Sequence, residues 1–285
     1  MKIERLIISL TTLTALGLAC SFPTVLAGKT ATPPPELPPA QPLSPEPGAS
    51  PTPQSAAATE PAPAQGPQEA ILILEPGPGS RLTSPLRVAG IADPTFEQHL
   101  VIRLVADDGS EIALTPVIIQ TEAGTRGPFE SELAFSVVAE RNALLQVYSA
   151  SARDGGITHL ASVGITLAPG GSAQIMLAEP HPESIQIMAP QPGDTIAVGV
   201  VRVEGFGLAS FEGTLVIEVY DEQGNLVSSV PTIVDAPDIG LPGTFSVDVA
   251  YSVTAEGAGR IVVVDPLPAF NGLGHIASVE FRLLP

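Results

Sequence analysis

Carboxylates, imidazoles and one thiol are the groups in this chain suited to holding an ion or attacking a substrate, and their spacing limits what each can do. The peptides "ADDGSE" and "YDEQGN" offer Asp107 and Asp108, then Asp221 and Glu222, as clustered oxygen ligands of the kind calcium takes. Both lack the full Asp-x-Asp-x-Asp-Gly spacing, and both stand between apolar runs, where Asp, Asn and Gly serve to turn a hairpin. They are weak calcium candidates, and no metal or cofactor is expected. Of the four histidines, His159 and His275 head two nearly identical peptides, which predicts a repeated edge or turn role, not that of a ligand. His99 and His181 have no counterparts, and neither HExxH nor CxxC occurs. Serine catalysis has no GxSxG elbow, and "PGPGS" and "APGGS" lack the lysine and following helix of a phosphate loop. Catalysis would need an unrecognised site, so the chain is read as non-catalytic.

The elements that carry these groups come in two copies. "HLASVGITL" at 159–167 returns as "HIASVEFRL" at 275–283, and "FEQHLVIRLVADDGS" returns as "FEGTLVIEVYDEQGN". Pro76, Gly79, Val88 and Gly90 match Pro190, Gly193, Val203 and Gly205, and agreement over so long a stretch marks an internal duplication. Period-two alternation sorts the faces. Leu100, Ile102 and Leu104 share an inner face with Phe129, Leu133, Phe135 and Val137, and with Ala161, Val163, Ile165 and Leu167 of the closing strand. The second copy answers with Leu215, Ile217 and Val219, with Phe245 to Val253, and with Ala277, Val279, Phe281 and Leu283. Arg103 and Glu218 take the same outward place with opposite charge, which predicts solvent there.

Strand-like runs near 70–74, 86–91, 99–106, 111–119, 129–137, 144–151 and 159–167 make seven short strands in the first copy. That count, with turn signals between them, predicts an all-β protein of two tandem seven-stranded immunoglobulin-like β-sandwiches, residues 70–168 and 184–285, joined by a linker at 169–183. Within the linker, "AQIML" has the makings of an edge strand or an interdomain contact. Proteolysis is expected to release two fragments of about 100 residues each.

The motifs "PGPGSRLTSPLRVAGIADPTFE" and "PQPGDTIAVGVVRVEGFGLASFE", the Leu-x-Ile-x-Leu strands ending in Asp-x-x-Gly, and the closing "ASV" strands resemble the immunoglobulin-like domain of bacterial spore germination proteins, the Gmad type. The resemblance implies a non-catalytic, extracytoplasmic module of the kind carried by lipoproteins, with a place in sporulation or germination.

The first twenty residues fit export. Lys2 and Arg5 precede an uncharged run from Leu6 to Ala19, too short for a bilayer span of about 20 residues. Residues 1–19 read as a signal peptide, because "LGLAC" resembles the lipobox of bacterial lipoproteins, which implies a lipid on Cys20 and a membrane anchor. The alternative is cleavage after Ala27 and free secretion. Cys20 is the only cysteine, so no disulfide can staple the domains. Residues 20–69 hold fourteen prolines and few large apolar side chains, which predicts a disordered linker of extended character, a stalk that spaces the domains from the membrane. The net charge of −18 excludes nucleic acid as a ready partner, since binding there rests on neutralising phosphates. The membrane, through the lipid, and an envelope protein or wall polymer such as peptidoglycan are the partners expected.

Overall fold

Residues 67–197 and 199–285 are described by the computed structural model. The signal peptide, Cys20, the cleavage position after Ala27 and the proline-rich segment up to residue 66 lie outside the described residues.

The first repeat contains β1 (Ile71–Glu75), β2 (Arg81–Leu82), β3 (Leu86–Ala92), β4 (His99–Ala106), β5 (Glu111–Ile118), β6 (Gly127–Leu133), β7 (Arg141–Ala150) and β8 (Ile157–Leu167). The second contains β9 (Ile185–Ala189), β10 (Thr195–Ile196), β11 (Val200–Gly207), β12 (Thr214–Tyr220), β13 (Leu226–Ile233), β14 (Gly243–Ala250), β15 (Gly257–Leu267) and β16 (Gly272–Leu283). These are the seven strands of an immunoglobulin-like sandwich, twice, plus the two-residue β2 and β10, which lie parallel to β8 and β16. In each repeat a three-stranded sheet, β1-β3-β6 or β9-β11-β14, packs on a four-stranded one. The inner faces are those that alternation predicts: Leu100, Ile102, Leu104, Phe129 and the alternate residues of β8 form one core, and Leu215, Ile217, Val219, Phe245 and the alternate residues of β16 the other. The strand expected to run to residue 137 stops at Leu133, because its partner β3 begins at Leu86, behind Pro85, which has no N–H to give the ladder. Phe135 and Val137 still pack against the core.

The two four-stranded sheets are continuous. β8 pairs antiparallel with β16 through Leu160↔Ile276 and Ala161↔His275, giving the order β13-β12-β15-β16-β8-β7-β4-β5. Leu160 and Ile276 occupy equivalent positions in the two copies, so a local two-fold axis passes between them. Gln68 and Pro182, also equivalent, form a second bridge on this axis, where Glu69 N donates to His181 O (3.3 Å) and Glu183 N donates to Pro67 O (2.8 Å). Each closing strand thereby removes the other's unpaired edge. On the outer face of this joint sheet, Leu160, Ile276, Val262 and Val264 bury one another as a third apolar cluster.

Arg103 and Glu218 are consequently less solvated than alternation alone predicts. The Arg103 guanidinium donates to Gln146 Oε1 at 2.7 Å and stands 5.2 Å from the Tyr148 ring centre, while Glu218 accepts the Tyr220 hydroxyl at 2.7 Å. The segment between the repeats is also engaged. Arg81 and Gln174 exchange backbone hydrogen bonds of 2.9 and 2.7 Å, Met176 O accepts from Gly77 N at 2.7 Å, and Ala178 N donates to Leu74 O at 2.9 Å. "AQIML" crosses Gly77 so closely that a Cβ there would lie 2.6 Å from the Leu177 carbonyl carbon. The expectation of two separable fragments therefore changes: limited proteolysis should leave one resistant piece starting near residue 67, uncut around Gly170 under conditions where the proline-rich segment is fully digested, as read by mass spectrometry.

Candidate functional site

On the inner side of the β8–β16 pair, the two-fold axis gathers four polar side chains. His159 Nε2 is 2.8 Å from Glu69 Oε1, and His275 Nε2 is 2.8 Å from Glu183 Oε1. Across the axis each histidine is 3.8 Å from the other glutamate, and the imidazole rings meet edge to face at 4.9 Å. Each carboxylate's second oxygen is held by the opposite repeat: Glu69 Oε2 accepts the backbone N–H of Ser184 (3.1 Å), and Glu183 Oε2 accepts that of Ala70 (2.9 Å). The site is therefore assembled from the paired lead-in segments of β1 and β9 and from the heads of β8 and β16.

Burial sets its electrostatics. The Glu69 side chain is only 1% exposed, and burial alone would push its carboxyl up. The hydrogen bond from His159, the charges of both histidines and the Ser184 N–H outweigh that and hold it at about 2. Burial alone would lower the His159 imidazole, but the Glu69 hydrogen bond and the charges of Glu183, Glu69 and Asp93 raise it above its ordinary value. One face of the cluster opens on a cleft of about 660 Å3 whose walls include Glu69, Glu183, His275 and Leu208.

His159 and His275 thus occupy an interface, not the edge or turn role that their repetition predicts. One ligand atom from each of Glu69, His159, Glu183 and His275 lies within 4.8 Å of the others, close enough for the four residues to be able to hold a metal ion. The acidic turn residues go elsewhere. Asp107 pairs with Arg141, and the Asp108 carboxyl is held at about 2 by the Ser110 hydroxyl and N–H and by Arg141. Asp221 accepts from Gln223 N (3.0 Å), Asn225 N (2.8 Å) and Asn225 Nδ2 (2.9 Å), as a turn residue does, and Glu222 lies against Gly257. His99 is exposed, 3.8 Å from Glu97, and His181 is exposed with its ring on Pro182 O. The equivalent Phe96 and Phe211 are 62% and 45% exposed.

Sequence reasoning missed Glu69 and Glu183, assigning one to the end of the stalk and the other to the linker. The available signal was the repeat itself, since "EAILI" and "ESIQI" both place Glu two residues before the first strand. It also missed a second contact across the axis. Arg260 on β15 and Asp154 in the β7–β8 turn form an ion pair of 2.9 Å with side chains 2% and 5% exposed, and Arg260 lies 5.6 Å from the Tyr220 ring centre.

Tandem immunoglobulin-like sandwiches sharing a sheet, with a polar cluster at the junction, define this protein as a two-domain β module. Residues 70–156 and 184–268 match the immunoglobulin-like domain of bacterial spore germination, and the chain belongs to that family of non-catalytic, germination-related modules. Among solved structures it is similar to dimeric latent PorU from Porphyromonas gingivalis, at 13% identity over 76% of this chain and 24% of that one, with a TM-score of 0.24. Bovine butyrophilin matches at 12% identity over 74% of this chain and 97% of its own, with a TM-score of 0.21. The chain thus spans about a quarter of the PorU length. No curated protein matches it in sequence. Among the described residues, no helix is long and apolar enough to cross a membrane.

Proposed function

We propose that this is an envelope lipoprotein, held by lipid on Cys20 and raised on the proline-rich stalk, whose two fused sandwiches present one rigid surface to an envelope protein or a wall polymer. The observation that carries this reading is the continuous sheet through both repeats, because a fused tandem displays its loops in one arrangement and loses little orientational freedom when it binds. Spacing or binding during germination suits the family to which the chain belongs.

A wall polysaccharide is the ligand class favoured by Phe96 and Phe211, whose exposed rings recur at equivalent loops and can stack on sugar faces. Replacing Cys20 with alanine should move the protein from membranes to the soluble fraction, and continued membrane association would sink the lipid anchor. The released chain should then sediment saturably with purified walls, and Phe96→Ala with Phe211→Ala should reduce that binding at least tenfold. Failure to sediment would turn the reading to a protein partner.

A further inference from the structure

We propose that Glu69, His159, Glu183 and His275 bind one divalent transition-metal ion, of the zinc class, on the two-fold axis between the repeats. The assignment concerns how the tandem is held together and stands apart from what the tandem meets at the envelope.

The donor set comes first. Two imidazole nitrogens with two carboxylate oxygens suit zinc, manganese or ferrous iron, whereas calcium and magnesium take oxygen sets. Distances agree. Tetrahedral zinc, with bonds to nitrogen and oxygen of about 2.0–2.1 Å, places its ligand atoms about 3.3 Å apart. The His–Glu separations are 2.8 Å within each pair and 3.8 Å across the axis, where His275 faces Glu69 through Nδ1 and Glu183 through Nε2. One ligand atom from each residue lies within 4.8 Å of the others, so shifts of about an ångström and a choice of one His275 nitrogen would centre an ion.

Orientation is already arranged. The Ser184 and Ala70 N–H groups occupy the outer oxygen of each glutamate and leave Oε1 aimed at the axis, as outer-shell partners do for ligating carboxylates. The symmetry also fits, because a tetrahedron contains two-fold axes and each repeat contributes one glutamate and one histidine at equivalent positions. The cleft of about 660 Å3 supplies a route from solvent. An ion held here would tie together the lead-in segments of β1 and β9 and the strands β8 and β16, which are the elements on which the junction depends.

The test uses the full chain without an affinity tag, stripped with chelator, dialysed and titrated calorimetrically with zinc, manganese or calcium chloride. One zinc per chain is expected, with calcium at least tenfold weaker. Zinc at about 100 times its Kd should raise Tm by roughly 5–10 °C. His159→Asn with His275→Asn should weaken zinc by more than the roughly 10–100-fold that loss of an outer-shell partner costs, whereas His99→Asn should bind as the native chain does. X-ray absorption at the zinc edge of the native chain, which needs no variant to fold, should show two imidazole nitrogens and two oxygens. Absence of stoichiometric zinc binding by the native chain, undiminished binding by a folded double variant, or an absorption spectrum without imidazole scattering would each overturn the assignment and leave the cluster an ion-paired staple.

Discussion

Replacing Arg260 with alanine should cost up to about 3–5 kcal/mol of unfolding free energy, measured by urea denaturation, because it leaves the buried Asp154 carboxylate with only the looser Arg153 contact of 3.5 Å as counter-charge. Asp154 comes from the first repeat and Arg260 from the second, so the pair is enclosed only when the hairpin of one lies over the sheet of the other. Little slack exists there. A Cβ on Gly156 would lie 2.2 Å from Arg260 Nη2, and Arg260 Nε is buried with no hydrogen-bond partner among the described residues. The variant Arg260→Met with Asp154→Asn should recover most of the loss, since a neutral pair avoids desolvating two ions and the asparagine's side-chain oxygen can still accept the Gly156 N–H. A change below about 1 kcal/mol for Arg260→Ala would mean that the pair behaves as a solvated surface contact. Its pH dependence has a definite sign. Burial alone would push the Asp154 carboxyl up, but Arg260 and the Gly156 N–H hold it at about 2, below its unfolded value. The stabilisation is therefore complete above about pH 4 and is lost as pH falls through about 2. Arg260→Ala should shift the acid unfolding limb to higher pH.

Gly90→Val and Gly205→Val should each cost about 3 kcal/mol or more, through overpacking that has no outlet. At Gly90 a Cβ would lie 2.2 Å from Leu72 O and 2.5 Å from Phe129 Cζ; at Gly205 it would lie 2.3 Å from Phe245 Cζ and 2.4 Å from Gln186 O. The paired strands set each phenylalanine directly opposite its glycine, Gly90↔Phe129 and Gly205↔Phe245, so each ring covers the bare backbone of the neighbouring strand. The ring cannot move away without leaving the core, and the carbonyl cannot move without breaking the β1–β3 or β9–β11 ladder. Gly164→Ala is the control. A Cβ there meets nothing within 4 Å, and its effect should stay within about 0.5 kcal/mol. Because both repeats share a sheet, each valine variant should still melt in one transition by calorimetry; two separated transitions would show that the junction does not couple the repeats.

Part of the junction was readable in the chain. "ALLQV" in β7 and "IVVV" in β15 are buried on successive residues, not alternate ones, and runs of that kind belong to strands covered on both faces. That pattern distinguishes β7 and β15 from β4 and β12, whose alternation predicts one solvated face. What lay over the second face had no local signature. Asp154 is 106 residues from Arg260, and each glutamate of the axial cluster is 90 or 92 residues from the histidine it touches.

The duplication, the strands and the inward face of each are legible in the chain, because a strand's side chains alternate with a fixed period and a core accepts only one of the two sets. So are the glycines that recur, since the close approach that needs them is made inside each copy. Long-range packing, by contrast, brings the closing strands edge to edge, lays "AQIML" along the first repeat and joins Glu69 and Glu183 to His159 and His275. The first and last of those contacts form about a two-fold axis between copies and the other joins the inter-repeat segment to one sheet edge; in each case chain distance carries no periodic trace and the pairing depends on how two finished surfaces fit.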